Sequence, residues 1–237
     1  VTVRGIPRDR LGVQIHCLRS EVAEDFEGTL DRLCALGIDV VELCLFPGFA
    51  GNPWGDFGCV GRWPARDVGD LLEEMGMHCV ATHCMHRDLA DERLEQTIAW
   101  ARDVRSPAIV LAGFPPSTNL EVWRANFERL NATGQRMAGE GFTFAYHTQN
   151  DVWQSLGGAL LANEMFRIVN PECCRIELDP SGSLVHGSDW TKCVLQHPNR
   201  YLSFHLRDGR RPLAPVPYLP ALPLGDGDMD WRQTLDV

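Results

Sequence analysis

The sequence predicts an α/β barrel built as one large domain, and three observations carry that expectation. Short apolar runs alternate with helical patterns at intervals of about 25 to 40 residues, the spacing of strand–helix units. Seven such units follow one another with no β-hairpin signal between them, which implies parallel strands. Within the strands one side-chain parity is polar and the other apolar, as in a barrel whose lumen turns polar near its mouth; an open, doubly covered sheet would show continuous apolar runs. The polar parity carries Gln14, His16, Glu42, His83, Thr143, His147, Glu177, Asp179, Ser203 and His205. The apolar parity carries Val13, Ile15, Val41, Leu43, Phe142, Phe144, Tyr146, Ile176, Leu178, Leu202, Phe204 and Leu206, a row suited to packing under helices.

The first strand is expected over 11–18 (LGVQIHCL). EDFEGTLDRLCALG then sets Phe26, Leu30, Leu33 and Leu36 on one helical stripe that stops at Gly37. IDVVELCLF reads as the second strand, and a Gly/Pro/Trp-rich loop containing Trp54 separates it from the helix RDVGDLLEEMG. HCVATHC (78–84) is the third strand, DERLEQTIAWARDV a helix, and PAIVLAG the fourth strand. A long helix over 120–139 leads to GFTFAYH, the fifth strand. WQSLGGALLANEMFRIV fills the next helical interval before CRIELD, the sixth strand. DWTKCVLQHP is a short helix before YLSFHL, the seventh. No Gly-rich phosphate loop follows the first strand, which counts against a dinucleotide-binding sheet.

Composition narrows the function classes. A net charge of −10, from 22 basic against 32 acidic residues, argues against general affinity for nucleic acid or anionic lipid. No apolar run reaches the roughly 18 residues of a membrane span, and no basic-then-apolar signal opens the chain, so a cytoplasmic protein is expected. The nine cysteines contain no C-x-x-C pair and read as reduced core thiols.

Two strands stop at metal-capable side chains, Asp179 in CRIELDPSG and His205 in YLSFHLRDG. A carboxylate and an imidazole at separate strand ends are how a barrel assembles a divalent-metal site. The plainer reading is a hydrogen-bonded polar pair, since buried polar groups need partners anyway.

The segments VQIHCLR, GIDVVEL, AYH, LDP, FHLRD and LGDGDMDW, in that order along nearly the whole chain, together resemble the sugar-phosphate isomerase/epimerase family, whose fold is the xylose-isomerase-like TIM barrel. The resemblance implies a divalent metal (Mn, Mg, Co or Zn) held by a Glu, Asp, His, Glu set from strand ends. Asp179 matches the Asp and His205 the His of the H-L-[KR]-D motif. Where many members carry a Glu on strand five this chain has His147, followed by Thr148 and Gln149, so His147 is the third ligand candidate. The family's last Glu lies on an eighth strand, which is not evident here. The expectation is a single domain over 1–237 that is cut or partly observed at its ends, or a barrel closed in another way.

The implied reaction is metal-assisted proton transfer next to a carbonyl of a small sugar or polyol derivative, giving isomerisation or epimerisation. Keto-sugar dehydratases or lyases share the scaffold, and a metal-free binding or partner subunit with a degenerate site is the alternative of another class. Glu177 and His147 are the catalytic candidates, Glu177 as base or as support for a ligand. His16, Glu42, Trp54, His83 and Arg207 are the substrate-binding candidates, Arg207 through its planar fork toward a carboxylate, a phosphate or Asp208. The expected partner is a small carbohydrate, with no nucleic acid and no membrane, and homo-oligomerisation is left open.

Overall fold

A computed structural model describes residues 10–44, 63–148, 150–213 and 219–232. Trp54 and Gln149 lie outside these described residues. The chain divides into two compact units, Val1–Leu111 with Glu140–Thr143, and Ala112–Gly139 with Phe144–Val237.

In the first unit, β1 (Val13–Gln14), β2 (Val40–Cys44), β3 (His78–Cys84) and β4 (Ala108–Leu111) lie side by side in chain order, each pair parallel. Between them come the helices α1 (Arg19–Glu24), α2 (Phe26–Ala35), α3 (Ala65–Glu74) and α4 (Asp91–Asp103). Asp25 starts α2 by accepting a hydrogen bond from the Gly28 backbone N–H at 2.9 Å, the usual work of an acidic N-cap. The predicted apolar stripe holds in part: Phe26, Leu30 and Leu33 are buried, whereas Leu36, past the helix end, is 71% exposed.

The first strand is shorter than its apolar run suggests. Only Val13 and Gln14 pair with β2, and Ile15–Leu18 coil into a 3₁₀ turn that leads directly into α1. His16 therefore sits on a turn and not on the lumen-facing parity of a strand. A four-residue apolar run has no period long enough to separate a strand from a tight turn.

In the second unit, β5 (Thr143–His147), β8 (Arg175–Leu178) and β9 (Tyr201–Phe204) run parallel in that order. The helices are α5 (Leu120–Gly139), α6 (Leu161–Ile168), α7 (Gly182–His186) and α8 (Trp190–Gln196). Phe144 and Tyr146, on the apolar parity of β5, are buried, and Tyr146 packs with α5 through Phe127, whose ring is edge-on to it at 6.3 Å. Trp123 adds a second ring contact to Phe127 at 5.8 Å. Each such buried aromatic is worth roughly 2–3 kcal/mol against an exposed one.

Two expectations fail in this unit. The segment expected as one helix begins instead with a hairpin, β6 (Ser155–Leu156) against β7 (Ala159–Leu160), turned by Gly157 and Gly158 at φ 57° and 82°. Two successive positive-φ residues are the signature of the tight hairpin turn that Gly-Gly favours, and the dipeptide was the available signal. The apolar row of β9 is also not covered as expected, because Leu202, Phe204 and Leu206 are 36%, 45% and 38% exposed. β9 is the last strand in this unit's order, so its outer row has only one neighbouring strand to share cover with.

Gly134 marks a close approach of α5 to backbone, since a Cβ there would clash with the carbonyl oxygen of Cys173. Helix propensity alone favours Gly134→Ala by about 1 kcal/mol. The clash is with backbone that cannot swing away, so the net expectation is a loss of about 1–3 kcal/mol. Urea unfolding checks the sign: a stabilised Gly134→Ala protein would mean that α5 does not seat on this carbonyl.

Among the described residues no helix is long and apolar enough to cross a membrane, and the eight described cysteines are all free thiols.

Candidate metal centre

In the second unit the site follows from strand register. His147 pairs with Glu177, and Glu177 with Ser203, so the three side chains form one row across β5, β8 and β9 on the same face. Asp179 and His205 come two residues later, each just past the end of its strand (β8 and β9), in the next row of that face. The His205 N–H donates to the Leu178 carbonyl at 2.9 Å, which continues the parallel ladder one step past β9.

Asp179 is 3% exposed and rigidly set. Its Oδ1 accepts from the Ser181 N–H at 2.9 Å and the Ser181 hydroxyl at 2.5 Å. Its N–H donates to Thr148 Oγ1 at 2.9 Å, and its carbonyl accepts from the Trp153 indole at 3.3 Å. With Oδ1 committed, Oδ2 is the oxygen turned to the cluster, 3.8 Å from His147 Nε2 and 3.5 Å from Arg207 Nη1.

The two imidazoles are oriented from behind. His147 Nδ1 lies 3.3 Å from the Ala112 carbonyl, which can only accept, so Nδ1 is the donor and Nε2 carries the lone pair. His205 Nε2 lies 3.1 Å from Glu177 Oε1, a carboxylate oxygen, which makes Nδ1 its lone-pair nitrogen. The rings sit 4.7 Å apart.

One ligand atom each from His147, Asp179 and His205 lies within 4.8 Å of the others. Metal–ligand bonds of about 2.0–2.2 Å place neighbouring ligands about 3–4 Å apart, so the 3.8 Å between His147 Nε2 and Asp179 Oδ2 suits a shared cation. Two imidazoles and a carboxylate are a donor set for zinc, cobalt, manganese or iron more than for magnesium. The residues fit a divalent metal.

Arg207 does not pair with Asp208. Its guanidinium reaches Asp179 and also donates to the Leu219 carbonyl. Asp208 is fully buried and saturated by N–H donors from Gly209, Gly225, Gly227, Met229 and Trp231.

The first unit holds a cluster of its own. Gln14 and Glu42 are register partners, and Gln14 Nε2 donates to Glu42 Oε1 at 2.9 Å. His83 Nε2 lies 2.6 Å from the same oxygen, with Glu42 7% and His83 6% exposed. The structure thus brings Glu42 and His83 together, and places His16 on the turn after β1. Sequence reasoning missed the residues that aim Asp179. Ser181 had a local signal, because Asp-Pro-Ser is a segment whose side chains bond backbone two residues on; Thr148 had none.

No protein-family profile matches the chain, and no curated protein does. Solved structures do. A sugar phosphate isomerase/epimerase from Parabacteroides distasonis superposes with TM-score 0.74 at 16% identity, over 87% of this chain and 80% of that one. A xylose isomerase domain-containing protein from Salmonella typhimurium gives 0.66 at 18% identity, over 98% and 84%. The probable 3-DHS dehydratase AsbF of Bacillus anthracis gives 0.60 at 11%, over 95% and 87%. The chain has the fold of the xylose isomerase-like TIM barrels, as its motif order implied.

Proposed function

We propose that this chain is a divalent-metal-dependent isomerase or epimerase acting on a small sugar or polyol derivative by proton transfer next to a carbonyl. The observation that carries the reading is the convergence of Asp179 Oδ2, His147 and His205 at the ends of three parallel strands, each aimed by a second contact. The fold neighbours that are isomerase- or epimerase-like support the same class.

Asp179, His147 and His205 would hold the cation. When bound, it would polarise the substrate carbonyl and make the neighbouring C–H more acidic. Arg207, partly buried beside Asp179, offers a planar pair of donors to a substrate oxygen or anionic group. Of the two proton-carrying candidates, His147 presents Nε2 beside the Asp179 oxygen, as ligand or as base. The other, Glu177, is 0% exposed and accepts hydrogen bonds at both oxygens.

A dehydratase or lyase reading draws on one specific likeness, to the probable 3-DHS dehydratase, and begins with the same proton removal. The test is metal analysis of protein purified without chelator, followed by incubation with a panel of ketoses, aldoses and keto-acids in deuterated water. A single divalent ion per chain, deuterium entry next to the carbonyl, and loss of both on chelation are expected. Elimination products in place of epimers would select the dehydratase reading. Protein that takes up no divalent metal, even on reconstitution, would sink the proposal and favour a metal-free binding subunit.

A further inference from the structure

The carboxylate of Glu177 is buried against Ser203 and His205. Glu177 is 0% exposed, and its two oxygens point to residues of the same strand, β9 and its extension: Oε2 accepts the Ser203 hydroxyl at 2.6 Å, and Oε1 faces His205 Nε2 at 3.1 Å. The spacing explains the geometry. Ser203 is the register partner of Glu177, and His205 is two residues on, so one carboxylate bridges both side chains along a single face. A hydroxyl is always able to donate, so Ser203 fixes one oxygen and leaves the other to receive the imidazole N–H.

We propose that Glu177 is a positioning residue: with Ser203 it forms a buried brace that holds Nε2–H of His205 and so directs Nδ1 of that ring to the ligand side. This rests on the metal-dependent reading above. It reassigns Glu177 from the proton-transfer chemistry to the ring's orientation and basicity, since a carboxylate behind a ligating imidazole strengthens the ligand. It also explains why this carboxyl group tolerates complete burial here, being hydrogen-bonded at both oxygens.

The experiment uses proton NMR of the metal-free protein and metal titration with Zn²⁺ or Co²⁺. A downfield, slowly exchanging imidazole N–H resonance is expected in the wild type. It should vanish in both His205→Gln and Glu177→Met, which assigns it to the pair. Glu177→Met should bind metal about 10–100-fold more weakly at unchanged stoichiometry, with Glu177→Gln and Ser203→Ala between it and wild type. Glu177→Gln keeps an oxygen acceptor for the ring, so it serves if the Met variant does not fold. The Co²⁺ spectrum should keep its imidazole character in Glu177→Gln and lose part of it in His205→Gln. A resonance that survives Glu177→Met, or variants that bind metal as tightly as wild type, would overturn the brace. Wild-type protein that binds no metal but shows the resonance with this dependence would defeat the functional reading and leave the pairing standing.

Discussion

Asp179→Asn is expected to lower divalent-metal affinity by about 10²–10³-fold, a loss of roughly 3–4 kcal/mol, and to remove turnover with it. The substitution is nearly isosteric, so its effect isolates charge. The amide oxygen can take over the Oδ1 role toward the Ser181 N–H and hydroxyl, and the Thr148 and Trp153 contacts are to the Asp179 backbone and do not change. What changes is Oδ2, the oxygen facing His147 Nε2 and Arg207 Nη1. An NH₂ group there donates where a cation needs a lone pair, and it also confronts the Arg207 guanidinium with another donor. Calorimetric titration of Zn²⁺ into both proteins, with unfolding curves as a control, reads the difference. Equal affinities in two equally folded proteins would remove Asp179 from the ligand set.

That Asp179 and His205 lie on one face at neighbouring strand ends is legible in the sequence for a physical reason. Side chains alternate along a strand with a fixed period of two, so a polar residue at a strand's end on the polar parity can be placed from sequence alone. His147, Glu177 and Ser203 fell on that same parity, and the register puts them in one row. The tautomers were not legible, because they depend on Ala112 and Glu177, partners 35 and 28 residues away from their imidazoles. His16 failed for a local reason: the strand period is lost where β1 gives way to a 3₁₀ turn after two residues. The Gly157–Gly158 hairpin is missed for the opposite reason, because its strong turn signal lies inside an interval that the strand rhythm assigns to a helix. Apolar alternation on β9 told which residues share a face, but Leu202, Phe204 and Leu206 show that it does not tell what covers them.

The motif residue whose role changed most, Asp208, leads to the largest effect expected on stability. Beside Arg207 in sequence it reads as that residue's ion-pair partner. In the fold it is a buried acceptor for the segment 219–231, taking N–H groups from Gly225 at 2.9 Å, Gly227 at 3.2 Å and Met229 at 3.2 Å, with the Trp231 indole at 2.7 Å. The Leu222 N–H also donates to the Asp208 carbonyl at 3.0 Å. Asp208→Ala leaves these backbone and indole N–H donors without their carboxylate acceptor, each costing about 1–3 kcal/mol if it stays buried. Partial opening of the segment to water caps the total at about 3–5 kcal/mol. Burial would raise the Asp208 carboxyl, but the hydrogen bonds from Trp231, Gly225, Met229 and Gly209 outweigh it and hold the group at about 2. A depressed pKa stabilises above the unfolded-state value of about 3.9 and loses that contribution only as pH falls toward 2. The stability gap between wild type and Asp208→Ala should therefore be constant from neutral pH to about 4 and narrow below it. Hydrogen exchange should show amides in 219–231 losing protection first. Because Leu219 also accepts from Arg207, the variant should weaken whatever Arg207 binds even where Asp179 and the imidazoles stay in place. Unfolding midpoints measured in urea between pH 3 and 7 decide it: a gap below 1 kcal/mol, or one that widens toward acid, would mean that this carboxylate does not organise the segment.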